Sequence, residues 1–137
     1  MATTTARLVL DSAAGSLLTS VLAIDDTATL TKLGTGTGLE KTTGLARQTF
    51  AAATETQLIN ASNYTAAKGH KLYIKNTDTT ATNYVYVYDD TTSGDPVILK
   101  LAGGEFAFMP TNADKTLKAY GTNANTVVES MVFGTDQ

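Results

Sequence analysis

The sequence predicts an all-β fold, an antiparallel sandwich or barrel, on three observations. Threonine and alanine dominate the composition, with 26 and 19 copies among 137 residues, and threonine favours strands and turns over helix interiors. Several short stretches alternate apolar and polar residues with period two, the spacing of a strand with one buried face. Clusters of Asn, Asp, Gly, Pro and Thr separate these stretches at short intervals, as in all-β domains.

Size and charge narrow the possible functions. A chain of this length predicts one domain with a real core, and the absence of cysteine excludes disulfides and thiolate metal sites. The net charge is −3 and only Arg7 and Arg47 are arginines, so we expect no nucleic-acid partner. The sequence contains no run of about 18 apolar residues, so it predicts no membrane span. The N-terminus lacks the basic and apolar regions of a signal peptide, so none is expected.

The aromatic residues divide the chain into two segments. All ten phenylalanines and tyrosines lie at Phe50 or later, and large rings usually anchor a core. We therefore predict an N-terminal arm or peripheral hairpin over residues 1–46 and a β-sandwich domain over residues 47–137. The arm is expected to bury its apolar residues against neighbouring subunits, with these candidate interface residues: Leu8, Leu10, Leu17, Leu18, Leu22 and Ile24.

Seven stretches of the second segment are predicted strands, with little or no helix. The clearest is 70–76, where Leu72 and Ile74 alternate with Tyr73 and Lys75, so the first pair is expected to face inward. The other six are 48–59, 84–89, 97–101, 105–109, 117–121 and 126–134.

The stretch GGEFAFMP places two rings on one side of a short strand. Phe106 and Phe108 are two residues apart and so point the same way. Gly103 and Gly104 can reverse the chain before them, and Pro110 marks a strand end or an edge. We expect both rings to be buried and to hold the sandwich together.

Motifs that would carry chemistry are few. The loop GTGTGLEKTTG has a glutamate where a phosphate-binding loop needs a glycine before Lys41. His70 has no second histidine or cysteine to act with, and we interpret it as a polar residue that opens a strand. We assign no catalytic residue, cofactor site or metal site. Three aspartates share one turn, where they could bind Ca²⁺ or satisfy backbone N–H groups, and the sequence leaves this open: Asp89, Asp90 and Asp95.

A row of tyrosines is the sharpest feature of the sequence. Tyr84, Tyr86 and Tyr88 share one face of a predicted strand, and Val85 and Val87 share the other. If the valines face the core, the tyrosines face outward. An exposed row of this kind can stack on sugars or form a subunit interface, or the rest of the chain can cover it. These three alternatives remain open at this stage.

The order of motifs in the second half resembles that of a known group of proteins. Between residues 68 and 134 the sequence reads KGHKLYIKNTD, YVYVYDD, ILKLAGGEFAFMP, LKAYG and VVESMVFG in succession. This order resembles small virion proteins of tailed bacteriophages, especially marine and cyanobacterial ones. Residues 1–46 show no such resemblance. The resemblance implies a jelly-roll-like antiparallel β-sandwich.

The same resemblance implies a function, which we state as an expectation. Such proteins look like capsid decoration, or cement, proteins, or like small knob and fibre components. A cement protein bridges and stabilises major capsid subunits and is not an enzyme. A homo-oligomer on the virion surface, with a trimer favoured, and the major capsid protein as partner would follow. The alternatives are a receptor- or glycan-binding knob that uses the tyrosine row, and a neck or tail component.

Overall fold

The computed structural model describes residues 4–12, 23–30, 41–64, 69–90, 96–112 and 114–134. The chain forms two compact units, Met1–Glu40 and Lys41–Gln137, and the division lies just before the boundary predicted at residue 47. Within the described ranges the secondary structure is eleven strands and one turn of 3₁₀ helix, Ala61–Asn63. The prediction of an all-β fold is confirmed. No helix in these ranges is long and apolar enough to cross a membrane.

The first unit contains a β-hairpin. Strands β1 (Thr4–Asp11) and β2 (Ala23–Leu30) pair antiparallel along their whole length. Leu10 lies opposite Ile24, and Thr4 lies opposite Leu30. The sequence alone did not choose between an arm and a hairpin for this segment.

The second unit is a sandwich of two antiparallel sheets. Sheet I has the strand order β5-β10-β7-β8, and sheet II has the order β3-β11-β6-β9, with β4 also paired to β11. The nine strands of this unit have the following bounds: β3 Lys41–Thr42, β4 Ala46–Phe50, β5 Thr56–Ile59, β6 Gly69–Asn76, β7 Val85–Asp89, β8 Val97–Leu101, β9 Phe106–Asn112, β10 Leu117–Gly121 and β11 Thr126–Gly134.

The connectivity of β4 to β11 is that of a jelly roll. Sheet II takes β4, β6, β9 and β11, sheet I takes β5, β7, β8 and β10, and the pairing of neighbouring strands within each sheet is antiparallel. Eight strands divided in this way between two four-stranded sheets make the double Greek-key sandwich. The jelly-roll-like architecture expected from the resemblance is therefore present.

The core lies between the two sheets. Both sheets supply it through alternate residues of their strands, which is the pattern expected when one face of each sheet is buried. Sheet II contributes Phe50, Leu72, Ile74, Val128 and Val132, and sheet I contributes Ile59, Val85, Val87, Leu101, Leu117 and Ala119.

Strand β6 sets the two faces of sheet II. It is a central strand paired to β11 on one side and β9 on the other. Leu72 and Ile74 are fully buried, as predicted, so Tyr73 and Lys75 lie on the outer face. The pairing register then aligns each neighbour with this alternation.

A buried asparagine joins the ends of three strands. Asn76 is completely buried, and its side-chain N–H groups donate to the carbonyls of Asn83 at 2.8 Å and Leu101 at 3.2 Å. Its side-chain oxygen accepts from the backbone N–H of Asp78 at 3.1 Å. Because a buried amide is costly unless its hydrogen bonds are made, this residue fixes the turn after β6 against the end of β8.

The Gly-Gly turn between β8 and β9 packs against the same region. A Cβ on Gly103 would overlap the carbonyl oxygen of Thr80, whereas a Cβ on Gly104 would meet nothing within 4 Å. Gly104 instead has φ +86, a left-handed conformation that costs a side chain about 1–2 kcal/mol. The two glycines are therefore needed for different reasons, close approach at Gly103 and backbone conformation at Gly104.

Alanine substitutions should separate these two reasons. We expect Gly104→Ala to lower the free energy of unfolding by about 1–2 kcal/mol. Gly103→Ala should lower it by more, since the new methyl group meets a backbone oxygen that cannot move alone. Urea unfolding of both variants measures the difference. Equal losses would show that contact with Thr80 does not constrain the turn.

Candidate interaction surfaces

The hairpin has one apolar and one polar face. Residues directly opposite one another in an antiparallel pair share a face, so Leu8, Leu10, Ile24 and Asp26 lie together. We call this surface the leucine face. On the opposite face, the guanidinium of Arg7 donates two hydrogen bonds to the carboxylate of Asp25, one of them at 2.7 Å. This contact lowers the pKa of the Asp25 carboxyl.

The predicted interface residues of the first unit lie on the leucine face where they are described. Leu8 and Leu10 are 47% and 45% exposed, and Ile24 is also exposed. Leu17, Leu18 and Leu22 lie outside the described residues. A two-stranded hairpin is only marginally stable in water without a further surface to cover it. Burial of the exposed leucines against a partner would therefore stabilise the hairpin.

The tyrosine row forms one cluster on the outer face of sheet I. Tyr86 stacks on Tyr120 of the neighbouring strand with ring centroids 5.2 Å apart, and Tyr84 and Tyr88 each contact one of these two rings. The ammonium of Lys100 lies 4.0 Å from the centre of the Tyr84 ring, a favourable cation–π distance. Tyr88 is buried.

Neighbouring side chains cover part of every ring in this cluster. Lys100 lies over Tyr84, Tyr86 and Tyr120 lie against each other, and Tyr88 is covered almost completely. A sugar that stacked on Tyr84 from the side of Lys100 would first have to displace that side chain. Sequence reasoning placed three tyrosines together but did not find Tyr120 or Lys100, because strands β8 and β10 meet β7 only through the fold.

A second aromatic surface lies on the outer face of sheet II. Phe106 is 62% exposed and Phe108 is 37% exposed. The ring of Phe108 meets that of Phe133 on β11 edge-on at 6.3 Å between centroids. We call this surface the phenylalanine face, and define it by six of the outward residues of three adjacent strands: Tyr73, Lys75, Phe106, Phe108, Met131 and Phe133.

The prediction that Phe106 and Phe108 hold the sandwich together is wrong. Met109 is paired with Leu72 and Ala107 with Ile74, so the smaller apolar residues of β9 share the core face. Both sides of this strand are apolar, and period-two alternation cannot choose between them. The register with β6 makes the choice and turns the two rings outward.

The carboxylates noted in the sequence form ion pairs. Asp89 lies 2.9 Å from the ammonium of Lys115, and Asp90 lies 2.8 Å from that of Lys118. Asp95 lies outside the described residues. Between the paired strands β4 and β11, the guanidinium of Arg47 lies 2.7 Å from the carboxylate of Glu129. Among the described residues, no three His, Asp or Glu side chains are grouped as metal ligands.

His70 is buried at the start of β6, where its ring lies 4.4 Å from that of Tyr64. Its Nε2 has no hydrogen-bond partner among the described residues. Burial, with a smaller contribution from the positive charge of Lys71, lowers the pKa of His70. The folded chain therefore favours the neutral imidazole, which makes this residue a source of pH-dependent stability.

Comparisons with known proteins leave the family of this chain open. No protein-family model and no curated protein matches the sequence. A solved structure of Bacillus endospore appendages, described as a novel family of disulfide-linked pili, is similar over 70% of this chain and 85% of that chain, with a TM-score of 0.49 and 18% sequence identity. A likeness at this level supports no conclusion about what this chain does.

The lowered pKa of the buried His70 should make the stability of the folded chain depend on pH. The unfolded chain binds a proton at a pKa of about 6.5, and the folded chain binds it only at lower pH. Stability is therefore full above about pH 6.5 and falls below it, by up to about 1.4 kcal/mol per pH unit. Urea unfolding between about pH 8 and 5.5 should show this fall, and His70→Phe should remove it. Since the chain has one histidine, an unchanged fall in the variant would contradict the prediction.

A matched pair of substitutions tests the orientation of β9. Phe50→Ala should lower the free energy of unfolding by about 3–5 kcal/mol, since it empties a fully buried site. Phe106→Ala should change it by less than about 1 kcal/mol, since most of that ring already contacts water. Thermal or urea unfolding provides both values. Similar losses in the two variants would place Phe106 in the core after all.

Proposed function

We propose that this chain is a structural protein of a tailed-phage virion, and specifically a capsid decoration protein. The resemblance of residues 68–134 to such proteins motivates the proposal. The jelly-roll connectivity of β4 to β11 supports it, since jelly rolls are common in viral capsid domains.

The observation that carries the proposal is the exposure of large apolar side chains on regular strands. Leu8 and Leu10 in the hairpin and Phe106 and Phe108 in the sandwich are each more than a third exposed. Exposed apolar surface held on ordered elements is typical of protein–protein contact sites. Asp89 and Asp90, which the sequence offered as possible Ca²⁺ ligands, form ion pairs with Lys115 and Lys118.

The proposed mechanism is bridging. Copies of the chain, with a trimer favoured, would bind across the junctions between neighbouring major capsid subunits on the virion surface, at local threefold positions. Each bridge adds contacts that must break before the expanded shell can rupture under the pressure of the packaged DNA. Binding to the assembled state alone stabilises that state by mass action.

The number of copies per virion tests this function. We expect quantitative mass spectrometry to find this chain in simple proportion to the major capsid protein, since a cement protein occupies equivalent positions over the whole shell. Adding the purified protein to expanded capsids that lack it should raise the temperature at which they release DNA. A handful of copies per virion would instead favour a knob, neck or tail component, and absence from virions would overturn the proposal.

A further inference from the structure

Two exposed faces of the chain carry the same pattern with opposite charge. On the leucine face, the apolar pair Leu10–Ile24 is followed two residues along by the pair Leu8–Asp26. On the phenylalanine face, the pair Phe108–Tyr73 is followed by the pair Phe106–Lys75. In each case an apolar cross-strand pair lies beside an apolar residue paired with a charge. The charge is negative on the first surface and positive on the second.

Neither charge is neutralised within the part of the chain that the structure describes. The nearby acid and base of the hairpin, Asp25 and Arg7, pair with each other on the opposite face, and no ion pair among the described residues involves Asp26. On sheet II, Glu129 is adjacent to Lys75 across the strands but pairs with Arg47. A group of opposite charge placed against Asp26 or Lys75 could therefore form an ion pair with that residue.

We propose that the leucine face of one copy docks on the phenylalanine face of a second copy, with Asp26 against Lys75. Apolar surface on both sides supplies the driving force, and the charge pair selects the register and excludes other pairings. Docking each face on its own counterpart is less favourable, because it brings Asp26 towards Asp26 and Lys75 towards a lysine. Like charges at a contact cost affinity.

The contact joins two different surfaces, and this determines the assemblies it can make. In a dimer, each of the two copies can dock its leucine face on the phenylalanine face of the other. In a closed ring such as a trimer, each copy docks its leucine face on the next copy. It would also cover the hairpin, which has little stability alone. The inference concerns self-association of the purified chain and holds whether or not the chain decorates a capsid.

Charge exchange gives the sharpest test. In the purified protein, Asp26→Lys and Lys75→Asp should each weaken self-association by more than about fivefold, since each change removes a partly exposed ion pair and puts like charges in its place. The double variant should regain the wild-type association constant, because it restores an opposite-charge pair with reversed polarity. Sedimentation equilibrium measures all four constants. A double variant as weak as the two single changes combined would overturn the proposal, as would a wild-type chain that stays monomeric at high micromolar concentration.

Aspartate substitutions at apolar residues of the two faces have matched controls at exposed apolar residues outside these faces. Leu10→Asp and Phe108→Asp should weaken association by roughly thirtyfold or more, as at the centre of an interface. Val9→Asp on the polar face of the hairpin and Ile98→Asp on sheet I change residues that are also exposed and should have little effect. Equal effects in both sets would mean that the two faces are not the contact, and circular dichroism checks that each variant remains folded.

Cross-linking separates contact between copies from contact within one chain. The natural chain has no cysteine, so each introduced thiol is unique. Random pairing in an equimolar mixture of Asp26→Cys and Lys75→Cys protein would give about twice as much mixed disulfide dimer as each homodimer. Docking between the two faces should raise the mixed dimer well above that ratio under mild oxidation. A chain that carries both changes and closes its disulfide internally at high dilution would overturn docking between copies, as would yields at or below the random ratio.

Discussion

The register of β6 against β9 and β11 decides which side chains of sheet II face the core and which face outward. Leu72 and Ile74 are fully buried, and directly opposite residues on the neighbouring strands must share their face. A slip of one residue would exchange the two faces completely. The packing of sheet II, the outward position of Phe106 and Phe108 and the position of Lys75 all depend on this one alignment.

Polar contacts at the ends of the strands hold that alignment in place. Asn76 ends β6 and uses its buried amide to tie the following turn to the end of β8, while Gly103 allows the next turn to approach Thr80 closely. The turn into β9 is closed by Glu105, whose carboxylate accepts the backbone N–H of Ala102 at 2.7 Å. The motifs that carried the resemblance to phage virion proteins, KNTD and AGGEF, therefore serve this local geometry.

The two sheets present outer faces of different character. On sheet I the aromatic rings contact one another and Lys100, so much of the aromatic surface is satisfied within the chain. On sheet II, Phe106 remains largely in contact with water although it lies on a regular strand. An exposed apolar residue held in a fixed position loses little entropy on binding. Sheet II and the leucine face are for this reason the surfaces on which the proposed contacts depend.

The sequence by itself determined the β class, the approximate strand positions from β6 onward and the inward face of β6, because period-two alternation reports burial wherever only one side of a strand is apolar. It also placed Leu8, Leu10 and Ile24 among exposed candidates for contact. It could not orient β9, since Phe106, Ala107, Phe108 and Met109 are all apolar.

Only the tertiary structure decided that orientation, through pairing of β9 with β6. It likewise brought Tyr120 and Lys100 to the tyrosine row and paired Asp89 and Asp90 with lysines distant in the sequence. It also placed Asp26 beside Leu8 and Lys75 beside Phe106. Each of these contacts joins residues from different strands, and local pattern carries no information about which strands become neighbours.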